Sequence, residues 1–202
     1  LEAVIEYLNE LVKEQHYQKT MQLWLPVLKS RIYLDELIGD AGWAYRQKGW
    51  NDRTAWELKT VIGLYDDPAQ QVQKPLYIDL SLNGHCAVYG SVVSGKSTFL
   101  QSLVYSFVMN YSPEQLQMYL VDFSSNMLTA FEKAPHVGGV ICDGQEERIA
   151  KFIHMLTVMM DERKKMFQGG NYSQYVQVHG VAIPALLVVI DNVGSFREKT
   201  KY

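Results

Sequence analysis

The chain has 202 residues, 48% of them hydrophobic, with a formal net charge of −3 and a pI near 6.0. That is enough apolar material for one α/β domain with an appended segment, and it excludes a disordered chain. The charge gives no global basic bias toward DNA or an anionic membrane surface, and no apolar run approaches the roughly 20 residues of a membrane span. Two cysteines, Cys86 and Cys142, are too few for a zinc site or a disulfide framework, and they read as buried thiols in a reducing compartment.

The first predicted element is a helix over "LEAVIEYLNELVKEQHYQK". Leu1, Val4, Ile5, Leu8, Leu11 and Val12 recur at helical spacing and give it one apolar face, expected to pack on this domain or on a neighbouring one. The chain opens on Leu1, with no methionine and no secretory apolar region, and reads as a piece of something larger. From "LWLPVLKSRIYLDELIGDAGW" through "WNDRTAWELKTVIGLYDDPAQQVQKP" the pattern is irregular and reads as a linker around the domain edge. The boundary is placed near residue 55, giving residues 1–55 as helix and linker and 56–202 as the main domain.

Beyond that boundary, strands and helices alternate. "PLYIDL" and "HCAVYG" read as strands, Ser97 to Tyr111 as a helix, and "QMYLVDF" as a strand. About Gln145 to Phe167 reads as a helix and "ALLVVID" as a strand. Such alternation predicts a mostly parallel sheet covered on both faces.

"GSVVSGKST", Gly90 to Thr98, fits the phosphate-loop pattern G-x-x-x-x-G-K-[ST]. Gly90 and Gly95 permit the backbone angles that turn successive N–H groups of Ser91, Val92, Val93 and Ser94 inward. With the N-terminus of the next helix, those donors cradle phosphate oxygens. Lys96 is placed to reach the β and γ phosphates of ATP, and the Ser97 hydroxyl to ligate Mg2+. The second half of such a site is an apolar strand ending in aspartate, which "LLVVID" supplies with Asp191 as the metal-side carboxylate. Asp122, at the end of "QMYLVDF", is a further candidate polar group near the γ phosphate and the weakest one. Asn192 follows Asp191 where a working ATPase of this type normally places a glutamate that activates the attacking water. An amide can bond that water but cannot take its proton. General-base help of this kind contributes about 10² to 10⁴ in rate, so binding is expected to survive and hydrolysis to be weak.

Taken together, "GSVVSGKSTFLQSLV", "YLVDFSSNMLTAFEKAPHVGGV", "LLVVIDN" and "IGLYDDPAQQVQKPLYIDL" resemble the FtsK/SpoIIIE-type ATPase modules. The resemblance is specifically to the tandem modules of the EssC/EccC type VII secretion proteins, and it extends upstream through "LWLPVLKSRIYLDEL", which resembles their linker. The resemblance implies a RecA-like P-loop NTPase fold and a cytoplasmic position within a cell-membrane protein. It also implies a role in exporting small WXG100-type proteins, with neighbouring ATPase modules of the same chain and a homo-oligomer, a hexamer, in the full motor. Val92 and Val93 replace the usual glycine or proline of active loops. With Asn192, they liken the chain to a downstream, degenerate module, the second or third. The family fold also has a later strand between those of the phosphate loop and the aspartate. That strand, with any sensor residue or arginine finger, is expected beyond Tyr202. Two alternatives stand beside this reading: a competent FtsK-like translocase acting on protein or DNA, with DNA disfavoured by the charge, and a nucleotide-free domain that docks export substrates. Direct membrane contact by these residues is not expected.

Other residues read more plainly. His136 in "APHVGG" and His85 in "NGHCAV" have no Ser/Asp partner at useful spacing, and packing or backbone hydrogen bonding is expected of both. "DERKK", Asp161 to Lys165, reads as a solvated helix face, and nothing in spacing separates Arg148 and Arg163 from surface arginines. "HMLTVMM" reads as core filler.

Overall fold

The computed structural model describes residues 1–17, 25–38, 49–50 and 57–200. In chain order the elements are α1 (Glu2–Glu14), α2 (Leu34–Ile38), β1 (Lys59–Asp67), β2 (Val72–Asp79), α3 (Leu80–Asn83), α4 (Lys96–Asn110) and β3 (Leu116–Asp122). A 3-10 turn (Met127–Phe131) precedes β4 (Val137–Cys142), α5 (Glu146–Phe167), α6 (Tyr172–His179), β5 (Ala185–Asp191) and α7 (Val193–Lys199). The boundary expected near residue 55 falls outside the described residues.

β3, β4 and β5 form a parallel sheet in the order β4-β3-β5, with β3 and β5 in register from Leu116 opposite Ala185 to Asp122 opposite Asp191. Strand alternation sends successive side chains to opposite faces and divides the core in two. On one face Leu116, Met118 and Leu120 of β3, with Ala185 and Val189 of β5, meet Leu103, Val104 and Phe107 of α4. On the other, Val121, Phe123 and Ile141 meet Ile149 and Phe152 of α5. A fully buried side chain such as Phe107 is worth about 1.5–3 kcal/mol by transfer from water, so α4 is clamped to the sheet by its second half. Helices thus cover both faces, as the α/β alternation predicts.

Two parts of the sequence reading are corrected. The stretch read as an irregular linker contains β1, which pairs antiparallel with β2 in a separate two-stranded sheet. The hairpin is set by its turn. The Asp67 carboxylate accepts from Gln70 N–H at 3.2 Å and from Lys74 Nζ at 3.3 Å, and Gln71 takes a left-handed φ of 53°. Asp and Pro in "YDDPAQQ" were legible as turn formers, but the strands on either side lack clean alternation because Gly63 coincides with a register break. The second correction is "HCAVYG", which forms no strand. Residues 84–90 are irregular, since neither β5 nor any other described strand pairs with them to build a ladder.

The hairpin is joined to the core by polar groups. Tyr111 at the end of α4 donates its hydroxyl to Lys59 O at 3.0 Å and accepts from Lys59 N–H at 2.9 Å. Buried Thr60 and Ser106 share a hydroxyl contact of 2.5 Å, and Ser106 Oγ donates on to Val61 O. The upstream segment does follow the domain edge: α2 packs against β1, Gln73 Nε2 donates to Pro26 O at 2.8 Å, and the Trp50 indole donates to Val108 O at 3.0 Å. Helix α1 behaves differently from the rest. No residue in it is fully buried, and Val4, Ile5 and Leu8 remain more than half exposed, so the described residues do not cover its apolar face.

Candidate nucleotide-binding site

The sequence-predicted loop sits between the irregular segment and the first turn of α4. Gly95 is the helix N-cap with φ 86°, in the left-handed region that glycine enters without penalty. A Cβ at Gly90 would overlap the Ser94 hydroxyl, so the second chemical demand on glycine here is space. Val93, one of the two departures from a glycine-rich loop, lies at φ 62°, an uncommon angle for a β-branched residue. Ser91, Val92, Val93 and Ser94 are exposed, and Ser94 N–H donates to Ser91 O at 3.3 Å to close the turn. Lys96 folds back into the loop, its ammonium donating to Gly90 O at 3.0 Å and Ser91 O at 2.6 Å. Thr98 is exposed on the first helical turn.

Ser97 and Asp191, far apart in sequence, meet directly: Ser97 Oγ donates to Asp191 Oδ2 at 2.6 Å. Two facts bring them together. α4 lies across the face formed by Ala185, Leu187 and Val189, and alternation along β5 sends Asp191 to that same face. Asp191 is buried, so the contact lies within the fold although the loop beside it is open.

Asp122 stands in register beside Asp191 at the end of β3, fully buried. Its Oδ1 accepts from Ser124 and Ser125 N–H, each at 3.1 Å, and its Oδ2 accepts from Leu128 N–H at 2.9 Å. The carboxylate is therefore engaged in holding the turn after β3. Asn192 adopts a left-handed conformation, φ 68° and ψ 68°, and caps α7 by accepting from Ser195 N–H at 3.2 Å. Its Nδ2 donates to Phe123 O at 3.2 Å and to Ser195 Oγ at 2.8 Å. This bracing was not read from the sequence, although an Asn directly before a short helix is an N-cap signal.

The remaining candidates sort by burial. His136 is buried, meets the Trp50 ring edge-on at 5.2 Å, and bonds Tyr111 O through Nε2 at 2.6 Å, as expected of a packed histidine. Burial pushes its pKa below the usual range, the Tyr111 carbonyl opposing that in part. His85 is exposed. Arg163 donates to Pro184 O at 2.8 Å and Arg148 to Gln145 Oε1 at 3.3 Å. The cysteine reading is corrected: Cys86 is exposed, its segment joining no sheet among the described residues, and Cys142 is half-buried, its pKa raised first by desolvation and then by Asp122. The methionine helix is corrected in part, since Met155 packs against the second core face while Met160 points to solvent.

Comparison with known proteins gives the family and the fold. The FtsK/SpoIIIE family model matches residues 51–193. The type VII secretion system protein EssC of Staphylococcus aureus (strain NCTC 8325 / PS 47) is 31% identical over 201 residues, covering 98% of this chain and 13% of EssC. The chain thus spans a small part of the relatives it matches. The solved cytoplasmic domain of the Thermomonospora curvata type VII secretion ATPase EccC superposes with a TM-score of 0.75 at 28% identity, over 91% of this chain and 23% of that one. ATPases 2 and 3 of the same EccC, solved in complex with a signal sequence peptide, give 0.73 at 28% identity, over 88% and 34%. With a parallel α/β core, a loop of the phosphate-loop sequence pattern opening α4 and an aspartate-tipped strand beside it, the chain belongs to the FtsK/SpoIIIE family.

Proposed function

We propose that the chain is an ATP-binding module of a membrane-anchored type VII secretion motor, binding Mg2+–ATP with weak or absent hydrolysis. The observation that carries the reading is the 2.6 Å contact of Ser97 Oγ with Asp191 Oδ2 beside the looped Lys96. The donor set fits magnesium, a hard cation bound by a few protein oxygens with phosphate and water completing the shell. A bound Mg2+ supplies positive charge against the β and γ phosphate oxygens. Ser97 and Asp191 would hold it, the N–H groups of Gly90 to Thr98 would receive the phosphates, and Lys96 would exchange its two carbonyl partners for them. At residue 192 the chain offers an amide already bonded on both sides, and no carboxylate to take the proton of an attacking water.

The likeness to EssC and to the EccC modules solved with a signal peptide supports a role in driving or regulating the export of small WXG100-type proteins. It likewise supports contacts with neighbouring modules and a cytoplasmic position under a membrane anchor. A ligand that binds only the folded state stabilises it by RT ln(1 + [L]/Kd), about 2.7 kcal/mol at 100 times Kd, so ATP can act here as a structural ligand without turnover.

Isothermal titration of the full-length protein tests the reading. Wild type binds Mg2+–ATP and Lys96→Ala does not, and ATP raises the melting temperature of wild type alone. Equal affinities would refute nucleotide binding at this loop. Turnover at the 1–100 s⁻¹ or so typical of kinases would refute weak hydrolysis.

A further inference from the structure

We infer that Asn192 is a positioning residue for Asp191, and that residue 192 is thereby committed to holding two strand ends together and is closed to the catalytic carboxylate. The inference rests on the nucleotide-binding reading above. The β3–β5 ladder ends with Asp122 opposite Asp191, and Phe123 N–H continues it by donating to Asp191 O at 3.2 Å. At that point the β5 backbone turns off into α7 through the left-handed Asn192. The side chain replaces the backbone group that has turned away: Nδ2 donates to Phe123 O at 3.2 Å and adds one more bond between the strand ends. The same amide anchors α7, donating to Ser195 Oγ at 2.8 Å and accepting from Ser195 N–H at 3.2 Å. Phe196 of α7 then packs on Phe123, with ring centroids 6.1 Å apart, from the far side of the sheet.

Asp191 is consequently held by its main chain on β3, by its carboxylate on Ser97, and by the residue that follows it. The arrangement requires a donor and an acceptor on one short side chain. Aspartate keeps the acceptor and loses the donor, so a carboxylate oxygen would face the Phe123 carbonyl. Glutamate loses the donor too, is a methylene longer, and lacks the local hydrogen bonding that lets asparagine occupy left-handed backbone. Glycine accepts the backbone angle and removes only the side-chain bonds.

The test measures ATP affinity of the full-length protein twice, with Mg2+ and with EDTA. In Asn192→Gly the Mg2+-supported Kd is expected to rise about tenfold, the lower end of the effect of losing a group that orients a metal ligand. The EDTA value, which depends on the loop and Lys96, is expected to stay within about twofold of wild type. Asn192→Asp, which keeps the cap, should move the Mg2+ value in the same direction. Asn192→Glu should show turnover no higher than wild type. An equal loss in both conditions, or no loss in either, overturns the positioning role. So does a gain in turnover by Asn192→Glu of about 10²-fold, the low end of general-base assistance. If wild type binds ATP in neither condition, the nucleotide reading itself fails and this inference falls with it, an outcome distinct from the others because it precedes any substitution.

Discussion

Replacing Asp122 by asparagine separates the two roles open to that carboxylate. The side chain is fully buried and accepts three backbone N–H groups, from Ser124, Ser125 and Leu128. Asparagine is nearly isosteric and keeps one oxygen, enough for Ser124 and Ser125. Its amide nitrogen then faces the Leu128 N–H, donor against donor. A hydrogen bond to a charged group is worth about 1.5–3 kcal/mol, so the loss of stability should be of that size. For a chain of this length, 1 kcal/mol moves the melting temperature by roughly 2–4 °C. Asp122→Ala strands all three donors and should cost about 4 kcal/mol or more, the sum being less than three separate bonds because one side chain serves them all. Urea unfolding with an unchanged slope is the appropriate measurement, since a changed slope would mean an altered end state. If Asp122→Asn stays within about 0.5 kcal/mol of wild type, the range of an ordinary surface substitution, while residual ATP turnover is lost, the structural reasoning is refuted.

Three other outcomes can be checked by the same unfolding measurements. Gly138→Ala in β4 places a Cβ 2.5 Å from the Tyr119 ring of β3, and overpacking of this kind should cost about 1–3 kcal/mol; an unchanged midpoint would show that the ring yields freely. His136 is held neutral by burial, with Nε2 donating to Tyr111 O and Nδ1 buried without a partner. Its folded pKa lies below the usual 6.5, so the unfolded chain takes up the proton first as pH falls. Stability from this residue is therefore complete above about pH 6.5 and declines as pH falls toward the folded value, and His136→Asn should flatten that part of the profile. Thr60→Val and Ser106→Ala each leave part of a buried hydroxyl chain unmatched and should each cost about 1–3 kcal/mol. The double variant should cost less than the sum, and strict additivity would mean that the hydroxyls do not interact.

The sequence was most readable where chemistry and periodicity coincide. "QMYLVDF" and "ALLVVID" are continuous apolar runs because both faces of their strands are buried, and Gly95, Lys96 and Ser97 carry the loop pattern at a helix start. β4 was missed because "VGGVIC" places two glycines where a strand normally shows β-branched residues; its pairing comes from β3 and from the Tyr119 ring over Gly138. "HCAVYG" has the composition of a strand and no neighbouring strand among the described residues, and composition alone cannot supply a ladder. Asn192 was read for the proton it cannot take. Two of the three bonds that explain an asparagine there are local, to Ser195; the third goes to Phe123, distant in sequence and adjacent only across the sheet.

The unequal support of the loop from Gly90 to Thr98 bears on how the proposed binding and turnover would come apart. Among the described residues the segment before the loop joins no strand, so Ser97 is placed by α4 and by its own bond to Asp191. α4 is fixed by Leu103, Val104 and Phe107, two to three turns downstream, and by Tyr111 bonding Lys59 at its end. A helix carries position along its axis at about 1.5 Å per residue, so this anchorage is enough to bring the Ser97 hydroxyl to Asp191. Holding phosphate and metal needs little more than that contact, the loop amides and Lys96. Turnover needs in addition a base fixed to within a fraction of an ångström of the attacking water, and the residue after Asp191 is occupied with closing the end of the sheet. The two demands draw on different contacts, and on the function proposed above the chain meets the first and not the second.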